Sequence, residues 1–560
     1  MTKDLAATVR SRANVVAAGI LASRVFGLLR MSLAARYFGS GAHADILKAG
    51  FGIPNMLQNL LGEGVLSAAF IPIYSRMLEE GRPEEAGRFA GSIFGLLVAV
   101  VSVVVLLGMA LAHPICWVVL RGFVQDAAAV AAGTQSVDRL ALTVTMVRLA
   151  FPMTGMLVLS AWALGILNSH RRFLLPYLAP VAWNVAIIGA LLVAGSLAGI
   201  NPLASEGGAS ERFEPGILTD VLRAAYLGGL AGGLLQFLVQ LPLVARIIKG
   251  FRISWSTQVS GVRTALRAAG PAIAGRGVAQ ISAYVDLVLA SFLKAGALGA
   301  LGFVQVLYLL PVSLFGMSVA AAELPELSRI GTEDTPVLAR RLRRGLLQGL
   351  FLTVPTALGY MALGYLIIGG LYRGGLFGAD DTWLCYGALM AYSLGLVATA
   401  CSRLVQNGFW ALGDTRTPAQ MAVVRMVASV FVAVPTMLVL DRVPIAMLLP
   451  DGSSPLYFGA VGLAIGSAAG AWTEFGLLRH RLERKIKQPI MAWRATGSML
   501  FLAILAVLPA LGVWRLVTTW PVVIQAALTG VVFAGVYLGL AWRMRRPELR
   551  AWMGRLVRRG

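Results

Sequence analysis

Eight Lys and Arg and six Asp and Glu side chains interrupt the apolar runs of this 560-residue chain, and their spacing decides what they could do together. Arg24 and Arg30 stand six residues apart, which on a helix is roughly 9 Å along the axis and about 120° around it. Asp45, Lys48 and Glu63 follow in the next apolar run. With Asp45 and Lys48, the two arginines could line one wide polar space. A guanidinium presents a planar fork of donors that matches phosphate oxygens two at a time, so this set suits a diphosphate. The competing reading is that Arg24 and Arg30 reach to an interface or pair with Asp45.

Later apolar runs add Arg148, Arg276, Asp286, Arg403 and Arg425, with Glu323, Glu326 and Glu474. A charge at the centre of a membrane helix costs at least about 2.5 kcal/mol on insertion scales, which makes each a functional candidate. Arg276 and Asp286 share one run but lie ten residues, or about 15 Å, apart and cannot touch. Asp286, within "YVDLVLASFL", reads either as a ligand for a coupling cation or as half of an inter-helix salt bridge; Asp414, in "ALGDTRTP", is the other coupling-cation candidate. Arg148, Glu323, Glu326 and Glu474 fall near span ends, where an interfacial position is expected. With eight bases against six acids, and only about three of the acids deep, the interior should be net cationic and suit an anionic substrate.

Enzyme chemistry has no foothold. There is no nucleophile elbow, phosphate-cradling glycine loop or converging acid pair. Cys116, Cys385 and Cys401 have no paired spacing, and His43, His113, His170 and His480 are dispersed, so neither a disulfide framework nor a metal centre is expected. The net charge of +22 raises nucleic acid as a partner, but the bases sit in short segments between apolar stretches without interleaved aromatics, which excludes it.

The elements that position these charges must be membrane helices. The chain is 58% hydrophobic and 13% charged, with mean hydropathy +0.77, more apolar surface than one soluble core could bury. A span needs about 20 mostly apolar residues; scanning at that length predicts about fourteen, centred near residues 25, 60, 102, 155, 188, 232, 280, 312, 357, 396, 429, 466, 504 and 531. The segments 1–12, 76–88, 169–173, 246–267, 329–344, 414–417, 479–494 and 543–560 hold 32 of the 48 basic residues. By the positive-inside rule these are cytoplasmic, and so are both termini. The N-terminal apolar run, interrupted by Arg24, reads as a first helix and not a cleaved signal.

A weak repeat divides the chain. "ALGILNSHRRFLLP" from Ala163 and "ALGDTRTP" from Ala411 each close a span; "IPNMLQ" through "IPIYSR" is echoed by "LPVSLF" through "LPELSR". Six spans separate corresponding points, so the two copies share orientation, as in parallel-repeat transporters. The expected organisation is an N-terminal lobe over 1–245, a C-terminal lobe over 246–485, and spans thirteen and fourteen with a basic tail over 486–560.

The motifs "ASRVFGLLR", "YFGSGAHAD", "IPNMLQNLLGEGVLSAAFIPIYSR", "VRLAFP", "ALGILNSHRRFLLPYLAPVAWN", "GPAIAGRGVAQISAYVDLVLASFL", "LPVSLFG" with "LPELSR", and "FWALGDTRTP" occur in this order. In them the chain resembles the MurJ/MviN lipid II flippase family of the multidrug/oligosaccharidyl-lipid/polysaccharide exporter superfamily, over roughly residues 14–480. The resemblance implies fourteen helices in two lobes about a cationic cavity, and a groove at the last two spans for a prenyl tail. It implies alternating access that carries undecaprenyl-linked lipid II to the outer leaflet of the bacterial inner membrane, driven by Na+, H+ or membrane potential with no resident cofactor, in the company of membrane lipids and cell-wall synthesis proteins. Arg24, Arg30 and Asp45 fall on positions the family uses, and Asp286 on an aspartate that binds sodium in such proteins. The chain departs from the family at Gln58, Asn59, Gly52, Gln305, Val306 and Met31, where charged residues are usual. Lys48, Arg276 or Arg403 would then replace the lost arginines as substrate ligands, and another polyprenyl-linked glycan becomes the alternative cargo.

Overall fold

The computed structural model describes residues 2–204, 214–313, 323, 326–330, 334–449 and 454–550. Among these the protein is helical throughout, with one isolated backbone bridge between Pro444 and Tyr457. Among the described residues, twelve helical segments are long and apolar enough to cross a membrane. A thirteenth candidate is a helix pair over residues 112–131 bent by 101°, too sharp a bend for one straight span. The spans expected near 280 and 312 fall on a helix of 30 residues and one of 15, where the side chains of 274–283 and residues 314–322 lie outside the described residues.

The chain forms two compact units: Met1–Phe292 with Gly374–Leu376, and Leu293–Arg373 with Phe377–Gly560. The span count and the weak repeat put a lobe boundary at 245; the first compact unit runs on to Phe292, past the helix Val262–Ser291.

The first unit contains α1 (Thr2–Phe38), α2 (Ala42–Leu61), α3 (Glu63–Ala69), α4 (Ile71–Glu79), α5 (Pro83–Ala110), α6 (Ala112–Val119), α7 (Asp126–Ala131), α8 (Arg139–Ser169), α9 (Leu174–Leu197), α10 (Pro215–Leu238), α11 (Leu241–Ile247) and α12 (Val262–Ser291). Its axis is α8, buried along most of its length and packed by α2, α5 and α10, while α9 lies between α1 and α10. The second apolar run is not one helix. It breaks at Gly62, whose N–H donates to the Gln58 carbonyl at 2.8 Å; a Cβ there would stand 2.3 Å from that oxygen, so the break requires glycine. α12 belongs here because the Tyr284 hydroxyl donates to the carbonyls of Gly52 (3.2 Å) and Ile53 (3.0 Å), and Ser291 Oγ accepts the Gly122 N–H at 3.1 Å.

The second unit contains α13 (Ala297–Pro311), α14 (Thr335–Tyr372), α15 (Ala379–Ala411), α16 (Arg416–Leu440), α17 (Gly459–Ile486), α18 (Trp493–Leu516) and α19 (Val522–Arg543). Here α15 is the buried axis, packed by α13, α14 and α17, and α18 and α19 lean on α14. The helices that close on the two "ALG" motifs are thus the two axial helices, one per unit. Their apolar outer residues stay bare: Leu197 is 85% exposed, Leu516 82% and Phe431 81%, acceptable in lipid and costly in water.

Gly87, Gly91 and Gly95 make a groove along α5 in which the extended segment after α11 lies: Cβ atoms at these positions would stand 1.8, 2.1 and 2.3 Å from the carbonyl oxygens of Lys249, Arg252 and Ser254. Gly91→Leu should displace that segment and cost about 1–3 kcal/mol. In detergent its unfolding midpoint should fall by several degrees, while Gly189→Leu, with nothing within 4 Å of the new Cβ, should melt as the wild type does.

Candidate functional site

Because α1 lies against α9, Arg30 meets Trp183. The guanidinium carbon stands 4.5 Å from the ring centroid, a cation–π contact that contributes roughly 0.5–2 kcal/mol depending on desolvation. From α2, Lys48 is close enough for its charge and that of Arg30 to repel. Among the described residues Arg30 makes no ion pair, and its Nε, like Trp183 Nε1, is buried without an acceptor. Each such donor costs about 1–3 kcal/mol unsatisfied. The Arg30 guanidinium and the two N–H groups without an acceptor form a place where an anion would be favoured.

Asp45 stands about one turn before Lys48 on α2. Its carboxylate is fully buried and accepts from Arg139 Nη1 at 3.0 Å. Arg139 also donates to Asp126, through Nε at 2.6 Å and Nη2 at 3.1 Å, and lies over the Phe123 ring at 4.1 Å. Packing of α2 on α8 gives Asp45 Arg139 as an ion-pair partner, which the spacing of the apolar runs does not announce. Arg139 opens α8 directly after its capping residue Asp138, whose side chain accepts from Ala141 N at 3.0 Å. It therefore reads as a loop charge in the sequence.

Arg24 is exposed on α1, and Arg403 exposed on α15 of the second unit. The Arg276 side chain lies outside the described residues. Asp286 is half-buried on α12, two residues beyond Tyr284. Asp414 lies in the turn between α15 and α16, where it accepts from Thr417 N (3.0 Å) and Oγ1 (2.9 Å) and pairs with Lys485 at 2.9 Å. These bonds, the Thr417 N–H foremost, hold its carboxyl at about 2, well below the usual value. Asp414 therefore caps α16. Glu474, expected near a span end, is instead buried mid-helix on α17, ion-paired to Arg425 at 3.0 Å and accepting from Gln406 Nε2 at 3.0 Å. Among the described residues no group of three or more His, Cys, Asp and Glu could hold a metal ion.

A profile described as "Lipid II flippase MurJ" matches residues 34–531. The chain belongs to the MurJ lipid II flippase family. It is 30% identical over 408 residues to a probable lipid II flippase MurJ of Rhizobium tropici, spanning 72% of this chain and 71% of that one. With the lipid II flippase MurJ of Burkholderia cenocepacia it shares 29% over 539 residues, 94% and 95% of the two chains. Among solved structures it matches a lipid II flippase MurJ in an inward closed conformation, with TM-score 0.69 at 22% identity over 95% of this chain and 99% of that one. An inward-facing multidrug transporter of the MOP superfamily matches with TM-score 0.54 at 15% identity, over 85% and 94%. These two likenesses establish the fold. The family comprises membrane transporters, not enzymes, and this chain is a multi-pass member.

Removing the cation from the buried trio leaves two carboxylates facing each other. Arg139→Leu should cost about 3–5 kcal/mol and abolish the folded peak in size-exclusion chromatography, whereas Arg24→Leu should leave it unchanged. Asp414 gives a pH test. Its folded pKa lies below its ordinary 3.8, so its contribution is full above that value and lost as pH falls through about 2. The stability difference between wild type and Asp414→Asn, followed by thermal unfolding, should be largest near neutrality and shrink across that acid window.

Proposed function

We propose that this chain carries lipid II from the cytoplasmic to the outer leaflet of the bacterial inner membrane, its diphosphate taken by Arg30 and Lys48. The observation that carries this reading is the contrast among deep charges. Arg139 and Arg425 are neutralised by protein carboxylates, while Arg30 is seated on an aromatic face beside a second cation. A diphosphate–sugar headgroup cannot cross hydrocarbon unaided, and a cationic site open to each side in turn lowers that barrier while the prenyl tail stays in lipid. Coupling is to membrane potential or to a cation, for which Asp286 is the candidate ligand. The charge bias of the loops puts both termini in the cytoplasm.

A second reading, transport of another polyprenyl-linked glycan, is favoured by Gln58 and Asn59, where the family resemblance leads one to expect arginine. A bacterium depleted of its own lipid II flippase separates the two. The chain should restore growth, and Arg30→Ala, present in the membrane at equal level, should not. Failure of the inserted wild-type chain to rescue would overturn lipid II as cargo in favour of the other glycan.

A further inference from the structure

Three tryptophans show what a structural indole does in this protein. Trp162 Nε1, buried, donates to the Ala90 carbonyl at 3.2 Å, and even the exposed Trp472 and half-buried Trp514 find acceptors, the Leu394 carbonyl at 2.7 Å and Gln525 Oε1 at 3.2 Å. Trp183 breaks this pattern: its Nε1 is buried without an acceptor, and its face is occupied by Arg30, whose own Nε is equally without one.

The ring is also held more firmly than a mere filler would need. On α10, a Cβ at Gly232 would stand 2.9 Å from the Cα and carbonyl oxygen of Trp183, so the α9 backbone is pressed against α10 at that residue. Phe51 meets the indole edge-on at 6.2 Å and stacks at 4.3 Å on Tyr226. The Tyr226 hydroxyl donates to the Ile46 and Leu47 carbonyls at 3.0 and 3.2 Å. A rail of aromatic contacts thus runs from the α2 backbone through Tyr226 and Phe51 to Trp183 and on to Arg30.

We propose that Trp183 is a specificity-determining residue for the anionic headgroup: its face orients the Arg30 guanidinium, and its Nε1–H, with Arg30 Nε–H, donates to oxygens of one phosphate group. The inference rests on the cationic site proposed above and adds a neutral donor to it. A neutral donor on a rigid ring selects by the direction of its N–H, which a mobile ammonium cannot do.

The test uses the full-length chain in phosphatidylcholine nanodiscs, with geranylgeranyl diphosphate and uncharged geranylgeraniol as probes. Trp183→Phe keeps an aromatic ring for Arg30 and removes the N–H together with part of the indole face, a loss of apolar surface for which the uncharged probe is the control. It should weaken diphosphate binding by roughly tenfold, the effect of one hydrogen bond to a charged group, and leave geranylgeraniol binding and the unfolding midpoint as in wild type. Trp183→Leu should weaken diphosphate binding further, because Arg30 loses its platform. Equal loss for both probes in Trp183→Phe, or no loss for either, would overturn the assignment of Trp183. Arg30→Ala separates this from the underlying site. If it binds diphosphate as wild type does, the cationic site itself fails; if it loses binding while Trp183→Phe does not, only Trp183 fails.

Discussion

A guanidinium in a hydrocarbon solvent must find a counter-charge and acceptors for its N–H groups inside the protein or from something the protein binds. The deep charges of this chain sort themselves on that constraint. Arg139 is closed off between Asp45 and Asp126, and Arg425 by Glu474 with Gln406 behind it. Arg30 is treated differently, given a ring face and a like charge as neighbours. Paired charges hold helices in register; a cation left with unmet donors is a demand for a ligand.

The paired sites prepare the unpaired one. The Asp45–Arg139–Asp126 trio ties α2 to α7 and α8, which sets the height at which Lys48 and Phe51, one and two turns further along α2, meet the neighbours of Trp183. The hydrogen bonds of Tyr226 to the carbonyls of Ile46 and Leu47 fix the same stretch from α10. A buried ion pair contributes little net stability over an apolar replacement, but removing one partner is severe. Asp45 therefore holds α2 in place through Arg139.

Much of the architecture was legible because hydropathy and loop charge are whole-segment properties that side-chain detail cannot mask. Arg30 is also marked in the sequence, because a charge inside an apolar run has few inexpensive explanations. Partners were another matter. Arg139 sits at the first turn of its helix and looks like a loop residue, so nothing in the spacing linked it to Asp45, 94 positions away. Glu474 falls near the end of its apolar run, and only packing of α16, α17 and α15 shows it buried. Asp414 reads in the sequence as a coupling-cation candidate, and the structure gives it Thr417 and Lys485 as partners. Trp183 gave no signal, since an aromatic in an apolar run reads as core; the missing acceptor for its N–H is visible only in three dimensions.

The most direct test of the central claim is a structure of the chain in lipid nanodiscs bound to lipid II. The account predicts diphosphate density within hydrogen-bonding distance of the Arg30 guanidinium on the face of Trp183, with Arg139 still held by Asp45 and Asp126. Diphosphate density away from α1, against Arg403 for example, with Arg30 unengaged, would contradict it.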